Sequence, residues 1–178
     1  GIQPIIGCQL GITRVNGPER GPPADPDGLV LLVQNEAGYA NLLKLVAEAF
    51  LEGEANEPPQ VAIESLEAHA DGLIALTGGP AGPVGRLLVE GRTDVAETLL
   101  LRLAAAFSGR LYVELMRHGL ENERRIEPEL LDLAYRHQLP LVATNEAFFD
   151  FSDMYEAHDA LVCISDGAYV SQDERRRL

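Results

Sequence analysis

The chain has 178 residues, enough for one domain with its own core, and at 46% hydrophobic and 24% charged it has an ordinary globular composition. Fourteen Lys and Arg stand against 28 Asp and Glu, a net charge of −14 that repels a phosphate backbone and excludes strong DNA binding by this chain alone. No apolar run reaches the roughly 20 residues of a membrane span, and no secretory signal pattern opens the chain.

Two distant cysteines, Cys8 and Cys163, sit in apolar surroundings and read as buried thiols in a reducing compartment, so the expected location is cytoplasmic, with no membrane partner. The chain starts at Gly1 without Met and stops on the charged run Asp173–Leu178, which reads as a piece of a longer polypeptide.

Ile2 to Ile6 reads as a strand and Leu10 to Val15 as a second one or its continuation. Asn16 to Gly28, dense in Pro, Gly and Asp, reads as a surface loop. Leu29 to Val33 is a wholly apolar strand, and Asn35-Glu36-Ala37-Gly38 turns into a helix with Leu42, Leu43, Val46, Ala49 and Phe50 near helical period. After a loop from Gly53 to Gln60 come a short helix, Ile63 to His69, and a strand, Leu73 to Leu76. The turn Thr77-Gly78-Gly79-Pro80 feeds a helix holding Val84, Leu87 and Leu88, and Thr93 is placed to cap a helix over Asp94–Phe107. A strand, Leu111 to Met116, leads through Arg117-His118-Gly119 to a helix over Glu121–Gln138, with Pro128 inside it as a kink or a restart. The strand Leu141 to Thr144 is followed by a helix over Met154–Ile164, with Ser152 or Asp153 as its cap and Gly167 beyond its end. This alternation predicts an α/β fold with parallel strands, five or six of which are visible.

Polar residues at strand ends are the candidates for chemistry. The turn Thr77–Gly82 offers free N–H groups to a phosphate, but it fits neither the Walker pattern nor G-x-G-x-x-G, and close packing is the simpler reading. His118 ends a strand before a glycine, where an imidazole can serve as a metal ligand, and Tyr112 and Glu114 alternate on that strand. Glu146 ends the Leu141–Thr144 strand and can bind a hard cation or act as a base, although Phe148 and Phe149 make its loop less polar than a working site. His158 reads as a packing or capping residue, and His69 and His137 as surface residues near helix ends. The runs Arg124-Arg125 and Arg175-Arg176-Arg177 read as a solvated helix face and a frayed tail. No Ser–His–Asp or Cys–His triad follows from these spacings.

Four blocks in consistent order carry a resemblance: Gly1-Ile2-Gln3-Pro4-Ile5-Ile6-Gly7-Cys8, Asn35-Glu36-Ala37-Gly38-Tyr39-Ala40-Asn41-Leu42, Val142-Ala143-Thr144-Asn145 and Glu156-Ala157-His158-Asp159. Together they resemble the PHP (polymerase and histidinol phosphatase) domain of bacterial DNA polymerase III alpha subunits, alphaproteobacterial members most of all. The resemblance implies a distorted (β/α)7 barrel. This chain would be a partial barrel lacking its first strands, a single PHP-domain fragment over residues 1–178 whose tail, 168–178, leads toward polymerase domains.

Active PHP domains hold up to three metal ions on His, Asp, Glu and sometimes Cys at the C-terminal strand ends, and they hydrolyse phosphoesters. The family's first ligands would fall before Gly1. Gln9 stands where Glu is common, Gly79 where a Cys or His follows, and Phe148 where the family has His; His118 matches and Glu146 replaces an Asp. Two ligands cannot hold a trinuclear centre, because each divalent ion takes about four to six donors. The implied reading is a vestigial site at His118 and Glu146 with no catalytic residue and no cofactor; Zn, Mn or Mg would serve an intact one. The implied role is structural, docking the proofreading exonuclease subunit alongside other polymerase III holoenzyme subunits, while DNA-directed nucleotidyl transfer lies outside these residues. The rivals are a metal-dependent phosphoesterase (pyrophosphatase or 3′-5′ exonuclease) completed by ligands upstream of Gly1, and a freestanding PHP-like hydrolase. Missing strands would also leave apolar edges open to self-association.

Overall fold

Leu29-Val30-Leu31-Leu32-Val33 is apolar at every position, and it lies inside a sheet with a partner strand on each side. The computed structural model describes residues 1–15, 25–51, 53, 57–145 and 147–176. Its five-stranded sheet has the order β1 (Gly7–Ile12), β2 (Asp27–Val33), β3 (Leu73–Leu76), β4 (Leu111–Leu115), β5 (Leu141–Ala143). The helices described are α1 (Glu36–Leu51), α2 (Ile63–Ala68), α3 (Pro83–Val89), α4 (Thr93–Ala106), α5 (Glu121–Arg136) and α6 (Tyr155–Asp166). None of them is long and apolar enough to cross a membrane.

Strand direction departs from the expectation of parallel strands. β3, β4 and β5 are parallel, but β1 and β2 are antiparallel, with Gly7 opposite Leu32 and Ile12 opposite Asp27, and so are β2 and β3, with Val30 opposite Leu76. The connections decide this. After α1, the segment at Val61 pairs with Ile12 beside the start of β2, and α2 then carries the chain back. β3 therefore begins beside the end of β2, where the Gln34 N–H donates to the Gly72 carbonyl at 2.9 Å. α3 and α4 together form one crossover from β3, and β4 enters parallel.

The expected strand Ile2–Ile6 has no regular structure; Ile2 is 97% and Ile5 80% exposed. Pro4 has no N–H to give a ladder, and pairing starts only where the Ile6 carbonyl accepts the Val33 N–H at 2.8 Å. The first strand instead covers Gly7–Ile12 and stops short of Val15. β2 starts two residues earlier than the apolar run, at Asp27. Residues 16–24 of the expected Pro/Gly loop lie outside the described residues.

Helix boundaries follow local chemistry in some places and tertiary partners in others. Asn35 caps α1, its Oδ1 accepting the Gly38 N–H at 3.0 Å. Pro83 opens α3 at a position where its missing N–H costs nothing. α5 runs unbroken through Pro128, which sits on the exposed face, where water can take the carbonyl left unpaired. Thr93 does not cap α4. It is the first residue of that helix, one past the cap position at Arg92, and its hydroxyl donates to the Glu129 carboxylate at 2.9 Å. α6 likewise lacks a side-chain cap from Ser152 or Asp153, which form a 3-10 turn with Met154 ahead of it; it ends as expected at Gly167, φ 64°.

The chain divides into two compact units, Gly1–Thr144 and Asn145–Leu178. The first holds the main core, in which Leu29, Leu45, Leu73, Leu100 and Phe107 are fully buried, each leucine contributing about 2 kcal/mol by removal from water. In the second, α6 buries Asp159, Val162 and Cys163. Two residues of the run expected to fray are tied down there: Arg175 grips Asp159 through its two terminal guanidinium nitrogens, and Arg176 grips Asp166 at 3.0 Å twice over, while Arg177 lies outside the described residues.

Candidate functional site

β3 and β4 run parallel and bring their carboxyl ends together, so Thr77–Gly82 and Met116–Gly119 form neighbouring loops. Leu111 and Val113 of β4 face the core, and alternation turns Tyr112 and Glu114 to the other side. Glu114 is only 2% exposed, yet it is a carboxylate on a strand. Its Oε2 accepts the Gly78 N–H at 2.8 Å, and its own N–H donates to the Thr77 hydroxyl at 2.9 Å. The Gly-rich turn is thus held by protein groups, and one of its amides is spent on Glu114.

Gly79 has φ 54° and is buried, and a Cβ there would lie 2.8 Å from the Met116 sulfur. A Cys or His at this position would meet both a left-handed backbone and a filled space. Gln9, on β1, is exposed and lies over Gly28, whose absent Cβ leaves room for the amide. Cys8 beside it is half-buried, and burial pushes its thiol pKa up, away from a metal-binding thiolate.

His118 stands just beyond β4. Its Nδ1 lies 2.6 Å from Glu123 Oε1, while Glu123 Oε2 accepts the Leu120 N–H at 3.1 Å, half of a capping box for α5. Burial works to raise the Glu123 pKa, but the His118 ring and the Leu120 N–H outweigh it and hold the carboxyl below its ordinary value. A carboxylate on one ring nitrogen is how proteins orient an imidazole.

Next to this pair, Arg117 binds Glu127 through two nitrogens at 3.0 and 2.7 Å, and that contact holds Glu127 below its usual range. An open cleft of about 210 Å³ is lined by Met116, Arg117, Gly119, Glu123, Arg124 and Glu127. A separate cavity of about 10 Å³, room for one water, touches Glu114, Glu123 and Glu127 behind Pro80.

The second unit contains the other positions. Glu146 lies outside the described residues. Phe148 is 47% exposed, and its ring centroid is 5.2 Å from that of His158; Phe149 is 5.5 Å from His158 and 6.4 Å from Tyr155. The position where a ligand imidazole is expected is therefore part of an aromatic cluster around a histidine. His69 and His137, expected at the surface, are half-buried at helix ends, His137 with Nε2 2.6 Å from Glu97.

Among the described residues no three His, Cys, Asp or Glu side chains converge in a way that could share an ion. The donor set in hand, one imidazole bound to a glutamate, an uncharged Gln9 and a side-chain-free Gly79, does not fit a multinuclear centre, and no chemical step is routed through one. Sequence reasoning singled out His118, Glu114 and the turn that Thr77 opens. It did not anticipate Glu123 or the bond from Glu114 to the Thr77 hydroxyl; the signal for Glu123 is its place three residues after Leu120, where helix starts favour a carboxylate.

A mixed α/β protein with polar groups gathered at the carboxyl ends of parallel strands is the class that these features define. The chain belongs to the PHP domain family, whose model matches residues 1–118. It is 46% identical over 178 residues to the DNA polymerase III subunit alpha of Caulobacter vibrioides, covering all of this chain and 16% of that protein. It is 37% identical over 176 residues to the corresponding subunit of Vibrio cholerae, covering 99% and 15%. The Thermus aquaticus subunit is 32% identical over 182 residues, covering 100% and 15%. The chain thus spans about one sixth of the length of the curated relatives that it matches.

Proposed function

We propose that this chain is the PHP module of a replicative DNA polymerase III alpha subunit, and that its metal centre is vestigial. The observation that carries the first part is the 46% identity to one alpha subunit across the whole chain. Three features support the second: His118 is bound to Glu123, Gly79 holds a left-handed backbone that disfavours a ligand side chain, and Phe148 packs on His158. In this reading the five-stranded sheet is part of a distorted (β/α)7 barrel, and the location is the cytoplasm. Nucleotidyl transfer belongs to other parts of the polypeptide. The module is structural and docks the proofreading exonuclease subunit as one of several holoenzyme contacts.

The test is phosphoesterase activity with Mn²⁺ or Zn²⁺ on pyrophosphate and on a 3′-labelled oligonucleotide, using the polypeptide with whatever upstream residues its gene encodes. The expected result is no chelator-sensitive hydrolysis. Turnover abolished by EDTA and by His118→Ala would overturn the vestigial reading in favour of a working phosphoesterase. A gene encoding no polymerase carboxylates would overturn the alpha-subunit reading instead.

A further inference from the structure

Residues 168–176 follow α6 and return to it without burying a large apolar side chain. Tyr169 is 74% and Val170 55% exposed, and Ser171, Gln172, Asp173 and Glu174 are exposed as well. Such a segment has little of the apolar contact that gives a region its own stability. Local bonds shape its turn: the Gln172 N–H donates to the Tyr169 carbonyl at 2.9 Å, and the Tyr169 N–H to Gln172 Oε1 at 2.8 Å.

Two arginines bring the segment back to the helix. Arg175 spends Nη1 and Nη2 on the Asp159 carboxylate, the second at 2.6 Å, and its Nε donates to the Val170 carbonyl at 3.3 Å. Only 6% of the Arg175 side chain and 9% of the Asp159 side chain is exposed. Arg176 forks onto Asp166 at 3.0 Å through Nε and Nη2, with 56% of its side chain exposed. Asp159 and Asp166 lie about 10 Å apart along the helix, at roughly 1.5 Å per residue. Adjacent arginines therefore grip two separate points on α6.

The two grips differ in kind. The inner pair is shielded from water, so dissolved ions screen it little, and parting it strands a buried charge. The outer pair stands in solvent and contributes little alone. The inner pair thus decides whether the segment stays on the helix, since no large buried apolar side chain holds it there otherwise.

We propose that residues 168–176 are an electrostatic latch on α6, closed by the Arg175–Asp159 pair and trimmed by Arg176 and Asp166. Closed, the latch spends both arginines within the chain; open, it frees both guanidinium groups. This goes beyond the PHP reading and does not depend on the metal centre.

Trypsin reads the latch, because it takes a free Lys or Arg side chain into its specificity pocket, and residues 145–174 contain neither. The test follows cleavage after Arg175 and after Arg176 by mass spectrometry, in the polypeptide as its gene encodes it. Both bonds of the unmodified protein are expected to be cut slowly, at low and high salt alike. Asp159→Asn is expected to speed both cuts about tenfold or more, as a larger open population does, and Asp166→Asn to speed them less. Asp150→Asn, at an exposed position of the same unit, is expected to change neither. Hydrogen exchange over α6 is expected to stay the same in the Asp159→Asn protein. Fast cutting of the unmodified protein, indifference to Asp159→Asn, or a larger effect from Asp166→Asn would each overturn the inference. So would faster exchange throughout α6 in the Asp159→Asn protein, which would make the pair part of the helix's own fold and not a latch upon it.

Discussion

Glu123 serves two partners at once, closing the first turn of α5 through the Leu120 N–H and orienting the His118 ring. Its carboxyl is stabilised in the charged form in the folded state, so its contribution is present above the unfolded glutamate pKa, roughly 4.3, and is lost as pH falls through the lower folded value. Glu123→Gln is expected to destabilise the chain by about 1–3 kcal/mol at neutral pH, the cost of weakening a buried charge-assisted hydrogen bond. The gap from the unmodified chain should close progressively below about pH 4. Urea unfolding at a series of pH values measures both, and a gap that widens on acidification would contradict the assignment. His118 was legible because a histidine between a strand end and a glycine stands out. Glu123 was not, because a glutamate in the first turn of a helix is commonplace, and only the bend of the β4–α5 connection brings it to the ring.

Between elements, the firmest polar tie described in the first unit joins β2 to α3. Arg86 forks onto Asp27 at 2.6 and 2.9 Å and reaches Glu90 at 2.8 Å, while Arg14 lies 3.5 Å from Asp27. Asp27 is 1% exposed. Burial works to lower the Arg86 pKa, but the bonds to Asp27 and Glu90 more than offset it and raise it. Leaving either charge unpaired in that setting is costly, so Asp27→Asn and Arg86→Met are each expected to lose about 3–5 kcal/mol. The double variant should lose less than the sum, because it leaves no orphaned charge. Additive losses in chemical denaturation would show that the two do not act as a pair. The short elements were read well where their signals are local: β3 falls on Leu73–Leu76 as expected, and Asn35 caps α1. Thr93 and Ser152 failed as caps because each lies inside the first turn of its element, one residue past the cap position held by Arg92 or Phe151.

At the scale of the whole molecule, −14 is the dominant property. The basic run at the chain's end does little to offset it locally, since Arg175 and Arg176 are each bound to an aspartate. The chain is therefore expected to bind duplex DNA no more tightly than about 10⁻⁴ M at physiological salt. A labelled 20-mer in an anisotropy titration checks this, and saturable binding in the nanomolar range would contradict it.

The amino-acid sequence alone determined the strand and helix alternation, the acidic character, and the family, because apolar periodicity and ordered residue blocks are written along the chain. Tertiary structure decided what depends on return paths and partners. The antiparallel entry of β3 comes from the route through Val61 and α2, and the loss of strand character in Ile2–Ile6 from the lack of a ladder donor at Pro4. The pairing of His118 with Glu123, and the apolar face that α1 turns outward, likewise became visible only once the helices were placed. A sequence records which residues want burial or a charge partner, and only the fold says which of them receive it.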